Sequence, residues 1–511
     1  MPVLRTPGSG GRLAWIGLPN ASSRVAVAGV ALFLVGSASS IEAASGVLVG
    51  VKDWVILHFD WLFVAVATLC VFAVAGLAVH PRANVRLGPE DSRPEFGTVP
   101  WFAMLFSAGL ASGLLYWATA EPILHQQGNP FLDAAGGDPG AAVTTAMRIT
   151  VLHWGLHGWA LYVVAGLGIA VYAYRHGRPL TFRSALYPVL GARYVDRWPG
   201  LAVDLVALFG TVCGVATSIG ISAAGMNATL GSLLGLDVSI PNQIAIVFGV
   251  CALGIASALS GLARGIRRLS EINVWVSGAL LLAIVLIGPT LFVGGLFFQT
   301  LVDYAAHVLP TGMWLAETPG QREWQASWTV FYWGWWLAWT PFVALFIARI
   351  SRGRTVREFA VAVLLVPTLV TLVWMSVLGG TALHQELASP GSVSAAVNRD
   401  YSLGIVAVIG NLGRPGIGYL LTVIAAFLLF TWLITSLDSA TLVICHLLGA
   451  EEAPPAKVFW GLALASVTTV LLLVGGLPAL QAASIVIGLP LAAIMLLLAG
   501  GITWDLLRRG L

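Results

Sequence analysis

Charge is what this chain lacks. Only 10% of its 511 residues are Asp, Glu, Lys or Arg, and 58% are hydrophobic. A soluble globular chain averages about 25% charged residues, so the composition places this chain in lipid. Cysteine is nearly as scarce: Cys70, Cys213, Cys251 and Cys445 each stand alone in an apolar run, with no CxxC pair and no Cys/His cluster. That argues against a disulfide framework and a zinc module. No long polar segment leaves room for a separate catalytic or sensory domain, so function has to reside among the apolar stretches. A net charge of +3 says little by itself. Where the charges stand says more.

Twelve apolar stretches are each long enough to cross about 30 Å of hydrocarbon, which takes roughly 20 residues. They lie near 24–46, 54–79, 98–124, 145–174, 200–233, 241–262, 272–299, 325–350, 358–383, 402–447 (helical from about 416), 457–477 and 482–506. The first ends in "GSASSIEAA", which resembles a signal-peptide cleavage region. Its length and the charge pattern favour a retained crossing. Counting twelve helices puts 21 basic residues on one side. They include Arg82, Arg86 and Arg93, the group from Arg175 to Arg197, Arg264 to Arg268, and Arg349 to Arg357. Only Lys52, Arg148, Arg322, Arg399 and Arg414 fall on the other. Loops rich in Lys and Arg stay cytoplasmic, so both termini are expected inside. The stretch "LVDYAAHVLPTGMWLAETPGQ" reads as an amphipathic connector over 301–324 lying along the outer surface.

Two stretches break the apolar pattern. "FSAGLASGLLYWATAEP" carries Gly109 and Gly113 around Ala111 and Ser112. It reads either as a small-residue packing face or as a helix unwound at mid-membrane, tolerated only where it is buried or lines a cavity. "TWLITSLDSATLV" sets Thr435, Ser436, Asp438 and Ser439 in an apolar helix. An intramembrane carboxylate points to a functional site, although Ser and Thr there also bond back to their own helix. Glu121 and Arg349 are either helix-end charges or partners in a buried acid–arginine closure.

The aromatic residues are concentrated. "FYWGWWLAW", Phe331 to Trp339, has six aromatics in nine positions, four of them tryptophan. "HWGLHGWALY" adds Trp154, Trp159 and Tyr162. The first run begins about six residues into its span, deeper than an interfacial belt. Trp336 and Trp339 share a helical face, while Trp333 and Trp335 point elsewhere. His153 and His157 also share a face and suit a metal. No third ligand is evident, so structural hydrogen bonding is the preferred reading over a metal enzyme that would add Glu121. A box of indole and phenol faces suits a quaternary ammonium, which has no N–H to donate. Attraction to π-faces contributes about 2 kcal/mol or more per desolvated pair.

Across all twelve spans the chain resembles the betaine/carnitine/choline transporter family. "AGLASGLLYWATAEP", "LHWGLHGWALY", "WTVFYWGWWLAWTPFVALFIARISRGRTVREF" and "ITSLDSA" carry the resemblance. It implies an all-α polytopic membrane protein of the leucine-transporter type. A short N-terminus (1–23) and two extra helices (24–97) precede inverted five-helix repeats over 98–300 and 325–508. It implies a transporter rather than an enzyme, located in the bacterial inner membrane, trimeric, without a resident cofactor and without nucleic acid as partner. The cargo is a zwitterionic or cationic small molecule, with a zwitterion such as glycine betaine favoured over choline, carnitine, ectoine or a sulfonium analogue. The implied cage is Trp154, Trp159, Tyr162 and Trp336, walled by Ala111, Ser112 and Gly113. Trp335, Trp339, Tyr116, Glu121, Asp438 and Arg349 belong to the pathway or its gates.

A coupling sodium is implied at Ser107, Leu110 and Trp432 by backbone, and at Thr435 and Ser436 by side chain. Sodium-independent exchangers of the family place an arginine where this chain has Asn273, which favours sodium coupling here. A second sodium would involve Thr211 and Phe342. Val215 stands where a second threonine is expected, and valine has no oxygen to offer. Osmosensing members carry a long basic C-terminal tail; "WDLLRRGL" closes this sequence, so tail-mediated activation is not expected.

Overall fold

Asn20 starts the first helix by a reciprocal cap: its side chain accepts the Ser23 amide at 2.8 Å, and the Ser23 hydroxyl accepts the Asn20 amide at 3.3 Å. Such pairs satisfy amides that a helix start leaves without partners. Thr318 with Gln321 and Thr355 with Glu358 repeat the device farther along. The computed structural model describes residues 18, 20–109, 113–132, 136–260, 263–413, 415–450 and 453–508.

Among the described residues the chain is helical. The main helices are α1 (Ala21–Ser39), α2 (Ile41–Val79), α3 (Thr98–Gly109), α4 (Gly113–Gln127), α5 (Pro139–Trp154), α6 (Leu156–Tyr174), α7 (Trp198–Leu234) and α8 (Ile240–Ser260). They continue as α9 (Ala263–Ile287), α10 (Thr290–Gly312), α11 (Phe331–Ile350), α12 (Val356–Ala388), α13 (Pro415–Leu447), α14 (Pro454–Gly475) and α15 (Leu477–Arg508). A short helix, Pro319–Gln325, and a π-helical turn, Ala326–Val330, lead directly into α11. Single π turns inside helices are frequent at functional sites.

Eleven described segments are long and apolar enough to cross a membrane. The expected third span carries α3 and α4, and "LAS" between them falls outside the described residues. The run expected as one span over 272–299 is two helices meeting at Gly288–Pro289. Proline has no N–H for the preceding turn, and α10 starts directly after it. The connector expected over 301–324 is therefore the second half of α10, a turn, and the short helix at Pro319. The fourth span is also interrupted, at Gly155 between α5 and α6.

α11 is the most enclosed element, packed between α6, α7 and α15. Its aromatic run, Phe331 to Trp339, is buried throughout. At one end of the bundle the arginine-rich loops converge. Arg175 donates to the Arg86 carbonyl at 3.2 Å, and Arg354 to the Phe96 carbonyl at 2.8 Å. Arg357 donates to Ala78 and His80, each at 2.8 Å. Backbone bonds join Leu87 to Arg354, Gly353 to Leu87 and Val356 to Val85. Basic loops remote in sequence thus share one end.

Candidate ligand-binding site

The site grows from the break at Gly155. Ending α5 frees carbonyls and starting α6 frees amides, and in an apolar interior each needs a partner. The Trp336 indole donates to the His153 carbonyl at 2.8 Å, and the Tyr304 hydroxyl of α10 accepts the Leu156 amide at 3.0 Å. The Trp336 ring can approach this closely because residue 158 is glycine: a Cβ there would lie 2.3 Å from the indole. "HWGLHGW" is therefore a seat for the tryptophan of another helix.

Around Trp336 the rings meet edge to face or tilted. Tyr162 lies at 4.9 Å, Trp159 at 5.7 Å and Trp154 at 6.3 Å between centroids. A cavity of about 40 Å3 is lined by Gly113, Trp154, Tyr162, Ser218, Trp335, Trp336 and Trp339. One water needs roughly 10–15 Å3 on such a measure, so a larger guest enters only as the rings part. Gly113 sets the remaining wall: a Cβ there would come within 2.8 Å of Trp335 and 3.4 Å of Trp154.

Most of the sequence-derived cage meets here, with two differences. Trp159 is fully buried behind Trp336 and Tyr162 and does not line the cavity. Trp335, expected to point elsewhere, lines it beside Trp339. The cause is Ser218 of α7, which sequence reasoning missed. Its hydroxyl accepts the indole N–H of Trp339 at 2.9 Å and of Trp335 at 3.2 Å, and donates to the Gly214 carbonyl at 3.2 Å. Thr211, Gly214 and Ser218 are spaced three and four apart, a shared helical face, so the signal was present. Trp333 turns to the opposite side and stacks on His157, centroids 5.4 Å apart.

Glu121 takes no arginine. Its Oε1 accepts from His153 Nδ1 at 2.7 Å and His125 Nε2 at 3.2 Å. Its Oε2 accepts from Trp154 at 2.9 Å and from the Tyr332 hydroxyl. His125 escaped the sequence reading, although it stands four residues after Glu121 and hence on the same helical face. The third metal-type ligand judged missing is therefore present: Glu121, His125 and His153 have donor atoms within 4.8 Å of one another, while His157 faces away from them. Tyr116 packs edge-on against Trp117 at 5.0 Å. Arg349 is exposed at the end of α11, and its carbonyl accepts the Tyr174 hydroxyl at 3.5 Å.

The polar run in α13 does not form a single cluster. Thr435 donates back to the Trp432 carbonyl at 3.1 Å, and Ser436 is half-buried beside it. Asp438 faces α8, where Ser257 donates to it at 3.1 Å. Ser107 lies in α3, while Leu110, Ala111 and Ser112 fall outside the described residues. Asn273 of α9 accepts the Thr431 hydroxyl at 2.7 Å, one position before Trp432. The Thr211 hydroxyl donates to Ala207 at 2.9 Å, and Phe342 packs edge-on against Trp339 at 5.2 Å.

Comparison with known proteins bears on this geometry. Residues 23–509 match the model of the betaine/carnitine/choline family transporters. Glycine betaine transporter 1 of Vibrio parahaemolyticus is 38% identical over 91% of this chain and 90% of its own length. The glycine betaine transporter OpuD of Bacillus subtilis is 36% identical, covering 88% and 87%. A glycine betaine/proline/choline/ectoine transporter of V. parahaemolyticus is 37% identical, covering 92% and 84%.

Proposed function

Because the chain belongs to the betaine/carnitine/choline transporter family, a membrane transporter and not an enzyme, we propose that it carries a glycine betaine-like zwitterion by sodium symport. The observation that carries this reading is the cavity wall. Five aromatic rings face it, and no carboxylate is among its lining residues in the described part of the chain. An ammonium with N–H groups would leave its donors unmatched there, whereas a quaternary head needs only π-faces and dispersion. Glu121, a buried acid nearby, has its oxygens turned to four protein donors. A cation alone would bring an unbalanced charge into this interior, while a zwitterion brings its own carboxylate.

Sodium coupling rests on Thr435, Ser436 and the Trp432 carbonyl of α13, the positions that the family resemblance implies for the ion. Asn273, held by Thr431, puts a neutral amide rather than a fixed cation at that level. A single sodium is favoured, since Val215 is buried on the face that would hold a second. Inverted five-helix repeats, a homotrimer and cytoplasmic termini complete the reading. Sodium entry down 100 mV contributes about 2.3 kcal/mol per charge, enough to drive accumulation. Uptake of labelled glycine betaine into proteoliposomes should collapse when external sodium is replaced by potassium. Unchanged uptake would remove the coupling.

A further inference from the structure

We infer that Glu121 is a positioning residue: one buried carboxylate fixes Trp154, a wall of the cavity, together with the aromatic layer beyond it. An ionised carboxylate offers about four acceptor sites, and four donors fill them: His125, His153, Trp154 and Tyr332. They come from α4, α5 and α11, so the single anion ties three helices together. Trp154 most needs such a tie, because it is the last residue of α5 before the break. Its indole meets Trp335 and Tyr332 edge-on, at 5.7 and 5.5 Å. Beyond it, His153 stacks on Tyr332 with centroids 4.6 Å apart, and Trp328 lies nearly parallel to both rings, 6.4 Å from each. Glu121 does not line the cavity. It acts through Trp154.

The same donors would suit a transition metal. Two ligands of a tetrahedral zinc, each about 2.0–2.1 Å from it, stand roughly 3.3 Å apart. The 2.7 Å between Glu121 Oε1 and His153 Nδ1 is a hydrogen-bond separation instead. Glu121→Gln keeps the shape but replaces one acceptor by an NH2 donor, which meets the donors already there. Glu121→Asp keeps the charge on a shorter arm.

This inference rests on the proposed cargo only for its binding readout. Glycine betaine would be titrated calorimetrically against wild type, E121Q, E121D, Y332F and E121Q/Y332F. E121Q should bind at least about tenfold more weakly, as expected for buried donors left unmatched. E121D should fall between, and the double variant should be no weaker than E121Q. E121Q within threefold of wild type, or losses that multiply in the double variant, would overturn the inference. So would stoichiometric zinc in the purified protein. A ligand-free arm separates this inference from the cargo. Hydrogen exchange should quicken in 121–127, 148–156 and 326–333 of E121Q, and remain unchanged in α7. If wild type ignores glycine betaine, the cargo reading fails, and the exchange arm alone decides on Glu121. Uniform quickening, or none, overturns it. Should E121Q not fold, E121D against wild type carries the same comparisons.

Discussion

Single side chains decide what the cavity accepts. Trp336 shows how: its N–H is spent on the His153 carbonyl, its ring lies over Gly158, and the remaining ring surface faces the cavity. Replacing it with leucine keeps apolar bulk and removes the π quadrupole. Trp336→Leu should weaken glycine betaine binding by roughly 30-fold, the equivalent of about 2 kcal/mol. Trp333→Phe, on the opposite face against His157, should change the affinity less than about threefold. Calorimetric titration of both variants tests the pair, and equal losses would contradict the assignment of faces. Ser218→Ala leaves the Trp335 N–H without its acceptor, while Trp339 keeps the Gly214 carbonyl at 2.9 Å. A several-fold weaker affinity is expected, in keeping with about 1–3 kcal/mol for a buried donor left unmatched. The tryptophans were legible in the sequence because indoles at helical spacing stand out. Ser218 was easier to miss: its spacing from Thr211 and Gly214 marks a shared face, but one serine in an apolar helix also looks like a self-bonded hydroxyl.

Broken helices supply the element-scale logic. The interruption at Gly155 stops α5 beside the cavity, so that Trp154 can turn into it, and the π turn before α11 precedes the aromatic run. "HWGLHGWALY" reads as one continuous apolar helix, and nothing local announces a stop. The stop depends on Tyr304 and Trp336, which supply partners for the freed backbone groups from far along the chain. Such long-range satisfaction is invisible to periodicity. Gly158→Ala tests the seat: the added methyl would meet the Trp336 ring and force it off the His153 carbonyl. A loss of about 1–3 kcal/mol is expected for such overpacking, read as a lower melting temperature together with weaker binding. A variant that melts and binds like wild type would show that Trp336 has room to spare.

At the scale of the molecule, the arginine-rich loops gather at one end. The basic end is held by arginines donating to backbone carbonyls at the end of α2 and in the linker to α3. Arg354 also sits over the Trp101 ring at 4.5 Å and so fixes the start of α3. Arg354→Ala should quicken hydrogen exchange over 85–101 and 351–356 while leaving 121–127 unchanged. Exchange that rises equally at both ends would contradict independent fastening. That the basic loops gather at one end follows from the charge pattern of the sequence, because alternating crossings sort the loops.

The proposed transport requires an aromatic cavity that selects a methylated zwitterion in company with sodium. Its most direct test is calorimetric binding of glycine betaine, and of unmethylated glycine, in sodium and in potassium. Glycine betaine should bind in sodium and much more weakly in potassium, and glycine should bind in neither. Equal affinity in both salts, or glycine bound as tightly as its trimethylated form, would contradict it.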